Sequence, residues 1–146
     1  MASIEILCIG KLKNNPLEQV WDEYVRRLQW PVSLTEMEGK NQKEELEKLS
    51  AKIDPHAALI VLDETGKTLS SRDFAQKLEQ FQTAGQSKFQ FVIGGADGIA
   101  LGLRQTADFR LSFGVMVWPH LLARVMLAEQ LYRAATILAG GPYHRA

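Results

Sequence analysis

Three separated stretches of the chain carry residue types that could form a ligand site. The first, Gly94-Gly-Ala-Asp-Gly98, follows an apolar run that ends at Ile93. Glycines let a backbone turn sharply where a strand ends, and a ligand can approach such a turn closely. The second stretch runs from Phe113 to His120 and ends in Trp-Pro-His, and the third is Tyr143-His-Arg145, just past a glycine pair.

The terminal stretch has the chemistry to hold a flat, anionic partner. The ring of Tyr143 could stack on a base, and the guanidinium of Arg145 could pair with phosphate. A chain end is usually frayed, so a disordered tail is the alternative. The residue types nevertheless favour a binding role for this tail.

Several common catalytic motifs do not fit the chain. The turn at Gly94 to Gly98 lacks the glycine spacing and the long following helix of a dinucleotide-binding loop. His56, His120 and His144 are far apart, and none has a second ligand at metal-binding spacing, so we expect no metal site. Ser112 lies outside a nucleophile elbow, which argues against a serine hydrolase.

Structural roles remain open for some of the same residues. The glycines after Ile93 could simply make a turn, and His120 after Pro119 could simply begin a helix. Glu129 precedes Arg133 by four residues, an order that favours an ion pair on a helix surface. Residue type alone does not choose between these roles and functional ones.

Hydrophobic periodicity predicts alternating strands and helices. Asn15-Pro16 and Ser70-Ser-Arg-Asp73 are typical of helix starts, and Asp63 to Lys67 should form a polar loop after the third strand. We expect strands at 4–10, 32–37, 57–62, 89–93 and 111–117, and helices at 16–28, 41–52, 70–85, 100–107 and 121–139.

This alternation predicts one α/β domain over residues 1–146, with a mostly parallel sheet flanked by helices. Ligands in that class collect beyond the carboxyl ends of the strands. Three loops should lie there: the one after Leu62, the one at Gly94 to Gly98, and the one at Gly114 to His120. The last helix is apolar on more than one side, so we expect one side on the sheet and the other on a second subunit.

The composition is that of an ordinary globular domain. A hydrophobic share of 46% and a charged share of 23% argue against disorder. The formal net charge is zero, which argues against a large polyanion as partner unless charge is segregated onto one face. Cys8 lies in an apolar run and indicates a core thiol in a reducing compartment. We see no signal peptide and no apolar stretch of membrane-spanning length, so we expect a cytoplasmic protein.

The chain resembles the ribosomal RNA large subunit methyltransferase H family of the knotted SPOUT superfamily. Several separated motifs occur in the family's order. They are Ile6-Leu-Cys-Ile-Gly-Lys11, Leu62-Asp-Glu-Thr-Gly-Lys67, Ile93-Gly-Gly95, Pro119-His120 with Arg124, Glu129-Gln-Leu-Tyr-Arg133 and Pro142-Tyr-His-Arg145.

The resemblance implies a cytoplasmic homodimer that transfers the methyl group of S-adenosylmethionine to N3 of a pseudouridine in 23S rRNA, without a metal. It also implies a C-terminal trefoil knot, which pattern reasoning would not choose because threaded connections are very rare. The implied cofactor-binding residues are Leu62, Gly95, Phe113, Gly114, Val115, Met116, Val117 and Trp118. The implied catalytic residues are Tyr143, His144 and Arg145.

For the implied reaction, we expect His144 to accept the N3 proton or Arg145 to stabilise the resulting anion, with Tyr143 packing on the base. Arg124 and Arg133 are assigned to the dimer seam or to RNA phosphates. Zero net charge predicts weak binding to bare RNA, because phosphate neutralisation dominates such affinity. An assembled ribosome is therefore the expected substrate.

Two alternatives to this function remain. A different knotted methyltransferase, acting on tRNA or on a ribose hydroxyl, would share the cofactor loops but would not need the terminal Tyr-His-Arg. A noncatalytic module that binds RNA or the ribosome would not bind S-adenosylmethionine.

Overall fold

The structure is a computed structural model and describes residues 1–145. Within that range, strands and helices alternate along the chain. The strands are β1 Ser3–Ile9, β2 Val32–Met37, β3 Ala58–Thr68, β4 Lys88–Ile93 and β5 Phe109–Ser112. The helices are α1 Leu17–Arg27, α2 Gln42–Ser50, α3 Ser71–Thr83, α4 Leu101–Thr106 and α5 His120–Leu138.

The strands form one sheet in the order β2-β1-β4-β3-β5, and every pairing is parallel. Parallel strands need crossover connections, and the helices between the apolar runs supply them. The α/β class and the parallel sheet flanked by helices are thereby confirmed. All five strands also end at the same edge, which we call the carboxyl edge.

Side chains alternate between the two faces of the sheet and build two cores. On one face, the strands pack against Trp21 of α1, Phe74 of α3 and Leu127 of α5, all of which are buried. On the other face, they pack against Leu49 of α2 and Leu103 of α4. The helices α1, α3 and α5 therefore cover one face, and the shorter α2 and α4 cover the other.

Polar side chains begin three of the helices, two of them at the helix starts that the sequence predicts, Asn15 and Ser70. The backbone N–H of Asp73 donates to Ser70 Oγ over 3.1 Å at the start of α3. The N–H of Glu44 donates to Asn41 Oδ1 over 2.9 Å before α2, and the N–H of Leu17 donates to Asn15 Oδ1 over 2.9 Å before α1. Each bond satisfies a backbone donor that lacks a partner within its own helix.

Two strand boundaries differ from the sequence prediction. The polar residues after Leu62 do not end β3, because the strand bulges out at that point and rejoins β5 at Lys67. The apolar run from Leu111 to Val117 is a strand only as far as Ser112, and the rest is an exposed loop. Hydrophobicity predicted a strand in that loop, but its apolar side chains lie on the surface.

The longest helix, α5, has 19 residues and packs against both α1 and α3. Its buried positions include Val125, Leu131 and Ala134. The sequence places apolar residues on more than one side of α5, and the neighbouring helices α1 and α3 cover much of that surface. Within residues 1–145, no helix combines the length and the hydropathy that crossing a bilayer would require.

Candidate functional site

A cleft of about 740 Å³ opens at the carboxyl edge of the sheet. Its walls come from the bulge of β3, the turn after β4, and the loop between β5 and α5. These are the three loops that the sequence places at strand ends. The cleft contains seven of the eight predicted cofactor residues: Leu62, Gly95, Phe113, Gly114, Met116, Val117 and Trp118. Val115 belongs to the same loop but lies outside the lining.

The glycine turn after β4 is closed on itself. The backbone N–H of Gly98 donates to Gly95 O over 3.0 Å. A Cβ atom at Gly94 would lie 2.6 Å from Gly98 O, so no larger residue fits without moving the turn. On its outer side, Gln42 Nε2 of α2 donates to Asp97 O over 2.9 Å. The turn is therefore a shaped wall of the cleft.

The loop from Phe113 to Pro119 presents apolar side chains to the solvent. Val115 is 88% exposed, Met116 72% and Val117 79%. The loop is still held in shape, since Trp118 Nε1 donates to Phe113 O over 3.3 Å and Gly114 N donates to Ser112 Oγ over 3.0 Å. A contiguous exposed apolar run at the mouth of a cleft indicates a surface that a ligand covers.

The bulge of β3 places an acid and two arginines beside the cleft. Asp63 accepts hydrogen bonds from the backbone and the hydroxyl of Thr65, at 3.1 and 2.8 Å. Arg104 and Arg110 approach the same carboxylate at 3.6 and 3.8 Å. Burial alone would raise the pKa of Asp63, but the Thr65 bonds and the two guanidinium groups outweigh it and hold the pKa below its usual value.

Arg124 connects the start of α5 to the first two strands. It is fully buried, with Nη1 2.5 Å from Glu36 Oε2 of β2 and Nη2 3.0 Å from Gly10 O. The same Glu36 oxygen accepts from the backbone N–H of Leu12 over 2.8 Å. The assignment of Arg124 to the dimer seam or to RNA phosphates is wrong, because a side chain with no exposed surface in one chain cannot reach either.

His120 lies where this network meets the cleft. Its ring packs so closely on Gly10 that a Cβ atom there would lie 2.8 Å from His120 Nε2. The φ angle of +97° at Gly10 also favours glycine. Burial, and then the charge of Arg124, lower the pKa of His120 below its ordinary value of 6.5. The imidazole is therefore neutral at physiological pH.

Glu45 of α2 is held behind the glycine turn. The space between the two is tight, with Glu45 Oε2 only 3.2 Å from the position of a Cβ atom at Gly95. Within residues 1–145, its Oε1 is buried without a hydrogen-bond partner. Burial, followed by the negative charge of Asp97, raises the pKa of Glu45. No sequence pattern singled out this residue, because it looks like any acid in a charged helix.

The terminal residues Tyr143 and His144 pack on the far end of α5. Arg133 Nη1 lies 3.0 Å from His144 Nδ1, and the Arg133 guanidinium lies 4.9 Å from the centre of the Tyr143 ring. Glu129 Oε1 accepts from Arg133 Nε over 2.7 Å, so the predicted helix-surface ion pair is present. Arg145 is exposed.

Within one chain, the tail contacts α5 at Glu129 and Arg133, well beyond His120 along the helix. His120 lines the cleft, and Arg133, which contacts the tail, follows it by thirteen residues on the same helix. At 1.5 Å per residue this is roughly 20 Å. The structure therefore brings seven of the eight predicted cofactor residues to one cleft, whereas Tyr143, His144 and Arg145 are not among the residues that line it.

Among residues 1–145, no group of three or more His, Cys, Asp and Glu side chains is arranged to hold a metal ion. The candidate site residues that sequence reasoning missed or left open are Glu45, Arg104 and His120. Only His120 carried a signal, because it follows proline at the end of an apolar run. Tertiary packing brings Arg104 to the cleft and Glu45 to the back of its glycine turn.

The chain is similar in sequence to proteins of known family. A family model described as Predicted SPOUT methyltransferase matches residues 2–144. Proteins named ribosomal RNA large subunit methyltransferase H are 46% identical in Cereibacter sphaeroides and 45% in Rhodospirillum centenum, covering 97% of this chain in both. The matches extend over 98% and 97% of those proteins.

Solved structures share the fold at low sequence identity. A probable methylase family protein from Haemophilus influenzae superposes with a TM-score of 0.61 at 13% identity, covering 99% of this chain and 71% of that one. The SpoU methyltransferase AviRb from Streptomyces viridochromogenes, solved in complex with the cofactor AdoMet, superposes with a TM-score of 0.51 at 13% identity, covering 96% and 59%. Because the family model and the relatives span nearly the whole chain, it belongs to the SPOUT methyltransferase family, in the ribosomal RNA large subunit methyltransferase H group.

Proposed function

We propose that this protein uses S-adenosylmethionine to methylate N3 of a pseudouridine in 23S rRNA, in the cytoplasm and on the assembled ribosome. The observation that carries the proposal is the convergence of three separated loops on one cleft, in a chain whose relatives are named rRNA methyltransferases. Experiment must test two parts of the proposal: which nucleotide is methylated, and whether the substrate is the assembled ribosome.

The cleft suits S-adenosylmethionine, whose sulfonium supplies an electrophilic methyl group. A flat heteroaromatic ring needs an apolar wall and backbone hydrogen-bonding groups, and the Phe113 to Trp118 loop offers both. Leu62 and Gly95 complete the walls on the β3 and β4 sides. The unpartnered carboxylate of Glu45 behind Gly95 adds a negative charge that favours a cationic ligand.

The protein is proposed to act as a homodimer. A second groove of about 600 Å³ lies on the α1–α3–α5 face, and its lining includes Val20, Tyr24 and Met126. Phe113 and Gly114 line both this groove and the cleft. A second copy seated in the groove would therefore lie next to the cofactor site, which would let its tail reach a cleft that the tail of the same chain does not reach.

A C-terminal trefoil knot is also part of the proposal. In support, β5 lies at one edge of the sheet, whereas α5 starts beside Gly10 at the end of β1. The segment between them must cross the carboxyl ends of β3 and β4, next to the turn at Gly94 to Gly98. A crystal structure in which this segment runs outside that turn, without threading it, would refute the knot.

The tail is proposed to bind the nucleotide. Tyr143 packs on the base, and the exposed guanidinium of Arg145 stabilises the negative charge that develops at N3. The enzyme must also place N3 in line with the methyl group and remove the proton of the imide. His144 and His120 are the two histidines that could take this proton.

The function is tested by mapping RNA methylation with and without the gene. We expect mass analysis of 23S rRNA from a deletion strain to show the loss of one methyl group on a pseudouridine. Purified protein should restore it on ribosomes faster than on naked rRNA, because zero net charge gives little affinity for bare phosphate. Loss of a tRNA or ribose methyl group would support the alternative knotted methyltransferase, and absence of S-adenosylmethionine binding in calorimetry would support a noncatalytic module.

The division of labour between subunits is tested by complementation. One variant carries Gly94→Ala, which deforms the cleft, and the other lacks residues 143–146. If the tail acts on the neighbouring cleft, each variant alone is inactive, and random mixing restores about a quarter of the activity, because half of the dimers are mixed and each has one complete site. Gly102→Ala, whose added Cβ meets no atom within 4 Å, is the control for Gly94→Ala. Mixed dimers without activity would place both parts of the site in one chain.

A further inference from the structure

His120 is held at the point where the cleft meets the first strand. Its ring is packed on Gly10, and the residue lines the same cleft as the predicted cofactor residues. Among residues 1–145, the side-chain hydrogen bonds at this end of α5 are made by Trp118, Arg124 and Glu36, and none engages the imidazole. One nitrogen of a neutral imidazole carries a lone pair, so a ring without a hydrogen-bond partner is able to accept a proton.

The charges around His120 maintain its neutral form. On its own helix, Arg124 lies one turn away, and Glu36 of β2 pairs with that guanidinium. Across the cleft, Asp63 is paired with Arg104, while Glu64 and Asp97 line the wall. The pKa of His120 is lowered by burial first and then by the positive charge of Arg124.

His144 is poorly suited to accept a proton where it lies. A guanidinium only donates hydrogen bonds, so the 3.0 Å contact from Arg133 requires an unprotonated Nδ1 on His144. In the neutral ring the proton then sits on Nε2, and the single lone pair is already occupied. The two histidines therefore differ in the property that a general base requires.

We propose that His120 is the general base of the methyl transfer, an inference that rests on the proposed function. The N3–H bond of the pseudouridine breaks and its proton moves to an imidazole nitrogen of His120, while N3 forms a bond to the methyl carbon. The carbon–sulfur bond of the donor breaks with its electron pair staying on sulfur. The imidazolium beside Arg124 then loses the proton to water, which restores the neutral ring.

The first test compares three single-histidine variants in ribosome methylation. His120→Gln should lower the rate at pH 7 by about 100-fold, the contribution typical of a positioned general base. His144→Gln should weaken substrate binding and raise KM, while the dependence of kcat on pH is unchanged. His56→Gln, which changes an exposed residue before β3, is the control and should behave as the wild type. A His120→Gln variant with the wild-type rate would overturn the proposal.

The pH profile separates a chemical role from a structural one. The wild-type rate should be flat through neutral pH, because His120 is already neutral there, and should fall as acid protonates the ring. The His120→Gln rate should instead rise about tenfold per pH unit on the alkaline side, as ionisation of N3 itself replaces the missing base. A deficit that stays constant at all pH values would assign His120 a packing role only.

Two further measurements do not depend on turnover by the His120→Gln variant. Calorimetry should show that His120→Gln binds S-adenosylmethionine as tightly as the wild type does. Nuclear magnetic resonance of the wild-type imidazoles, assigned with the three variants, should give His120 a pKa below 6.5 that coincides with the acid limb of the wild-type rate. If His120→Gln does not fold, a mismatch between these two wild-type values still refutes the proposal. Absence of methylation by the wild type would instead count against the proposed function.

Discussion

Cys8 lies fully buried in β1, between the side chains of the larger core. Burial raises the pKa of its thiol to about 12, and the nearby charge of Arg124 offsets only part of this rise. The thiolate is the reactive form of cysteine, so both access and ionisation protect this residue. The expected role of Cys8 as a core thiol is confirmed.

We predict that native protein reacts with a thiol reagent at pH 8 at least 100-fold more slowly than protein unfolded in urea. The measurement is the rate of absorbance change with an aromatic disulfide reagent. The unfolded protein serves as its own control, since Cys8 is the single cysteine of the chain. Fast labelling of the native form would mean that β1 opens readily to solvent.

Within residues 1–145, the buried acid Glu45 has one oxygen, Oε1, without a hydrogen-bond partner. We predict that Glu45→Gln raises the free energy of unfolding at pH 8 by about 1 kcal/mol, because it removes a desolvated charge. The folded-state pKa of Glu45 is raised, so the folded protein takes up this proton more readily than the unfolded chain does. The advantage of the variant should be largest above that pKa and shrink as the pH falls through it.

Urea unfolding at several pH values measures this effect. Glu47→Gln, an exposed acid on the same helix, is the matched control and should change stability little at any pH. An equal gain at pH 4 and pH 8 would contradict the assigned cause. S-adenosylmethionine affinity should fall in Glu45→Gln if the carboxylate contributes the proposed negative charge.

At the scale of elements, the contact between the end of β1 and the start of α5 depends on Gly10. We predict that Gly10→Ala destabilises the fold by about 2–4 kcal/mol, because it combines a left-handed backbone with a clash against His120. Gly85→Ala has a similar φ of +94° but open space around the added methyl group, so it reports backbone strain alone.

Thermal and urea unfolding of both variants separate the two effects. Gly85→Ala should lower the free energy of unfolding by about 1 kcal/mol, close to the cost of placing a non-glycine residue in a left-handed backbone conformation. The excess in Gly10→Ala then measures how firmly His120 is held against β1. Equal costs for both variants would show that the His120 ring moves aside freely.

Sequence patterns predicted the elements well where local chemistry decides them. All five strands and all five helices were expected in their observed order, with the ends of β3 and β5 misplaced, and the side-chain bonds of Asn15 and Ser70 at helix starts follow from residue type alone. The bulge of β3 could not be predicted, since polar residues after an apolar strand usually form a loop. It depends on pairing with β5, where a Cβ atom at Gly66 would lie 2.6 Å from Arg110 O.

The candidate site was predictable only in part. The strand-end loops follow from the parallel sheet, and seven of the eight cofactor residues that the resemblance implied line the cleft. Arg124 was misassigned because an arginine on a helix is usually exposed, and its burial depends on Glu36, a partner 88 positions away. The role of the tail remains a prediction, since it involves a second copy of the chain.

At the scale of the whole molecule, the groove on the α1–α3–α5 face predicts a specific dimer contact. Val20 is apolar, 41% exposed and part of that groove, so the single chain should tolerate a polar residue there. We predict that Val20→Glu shifts the protein from dimer to monomer by at least 10-fold in Kd, because it buries a charge in the interface.

Sedimentation at a series of concentrations measures the shift. Gln19→Glu, the exposed neighbour on α1, adds the same charge beside the groove and should leave the dimer intact. Methylation activity should fall with the dimer in Val20→Glu. A protein that is monomeric before any substitution would contradict the proposed homodimer.

The bond from Arg124 to Gly10 O also has a consequence for synthesis on the ribosome. These residues are 114 positions apart, so at 5–20 residues per second the end of β1 waits roughly 6–23 s before its partner exists. During that interval the Glu36 carboxylate has no guanidinium to pair with, and the nascent first half of the sheet lacks the helix that covers it. Assembly of the carboxyl edge should therefore be a late step of folding, completed only after α5 has been synthesised.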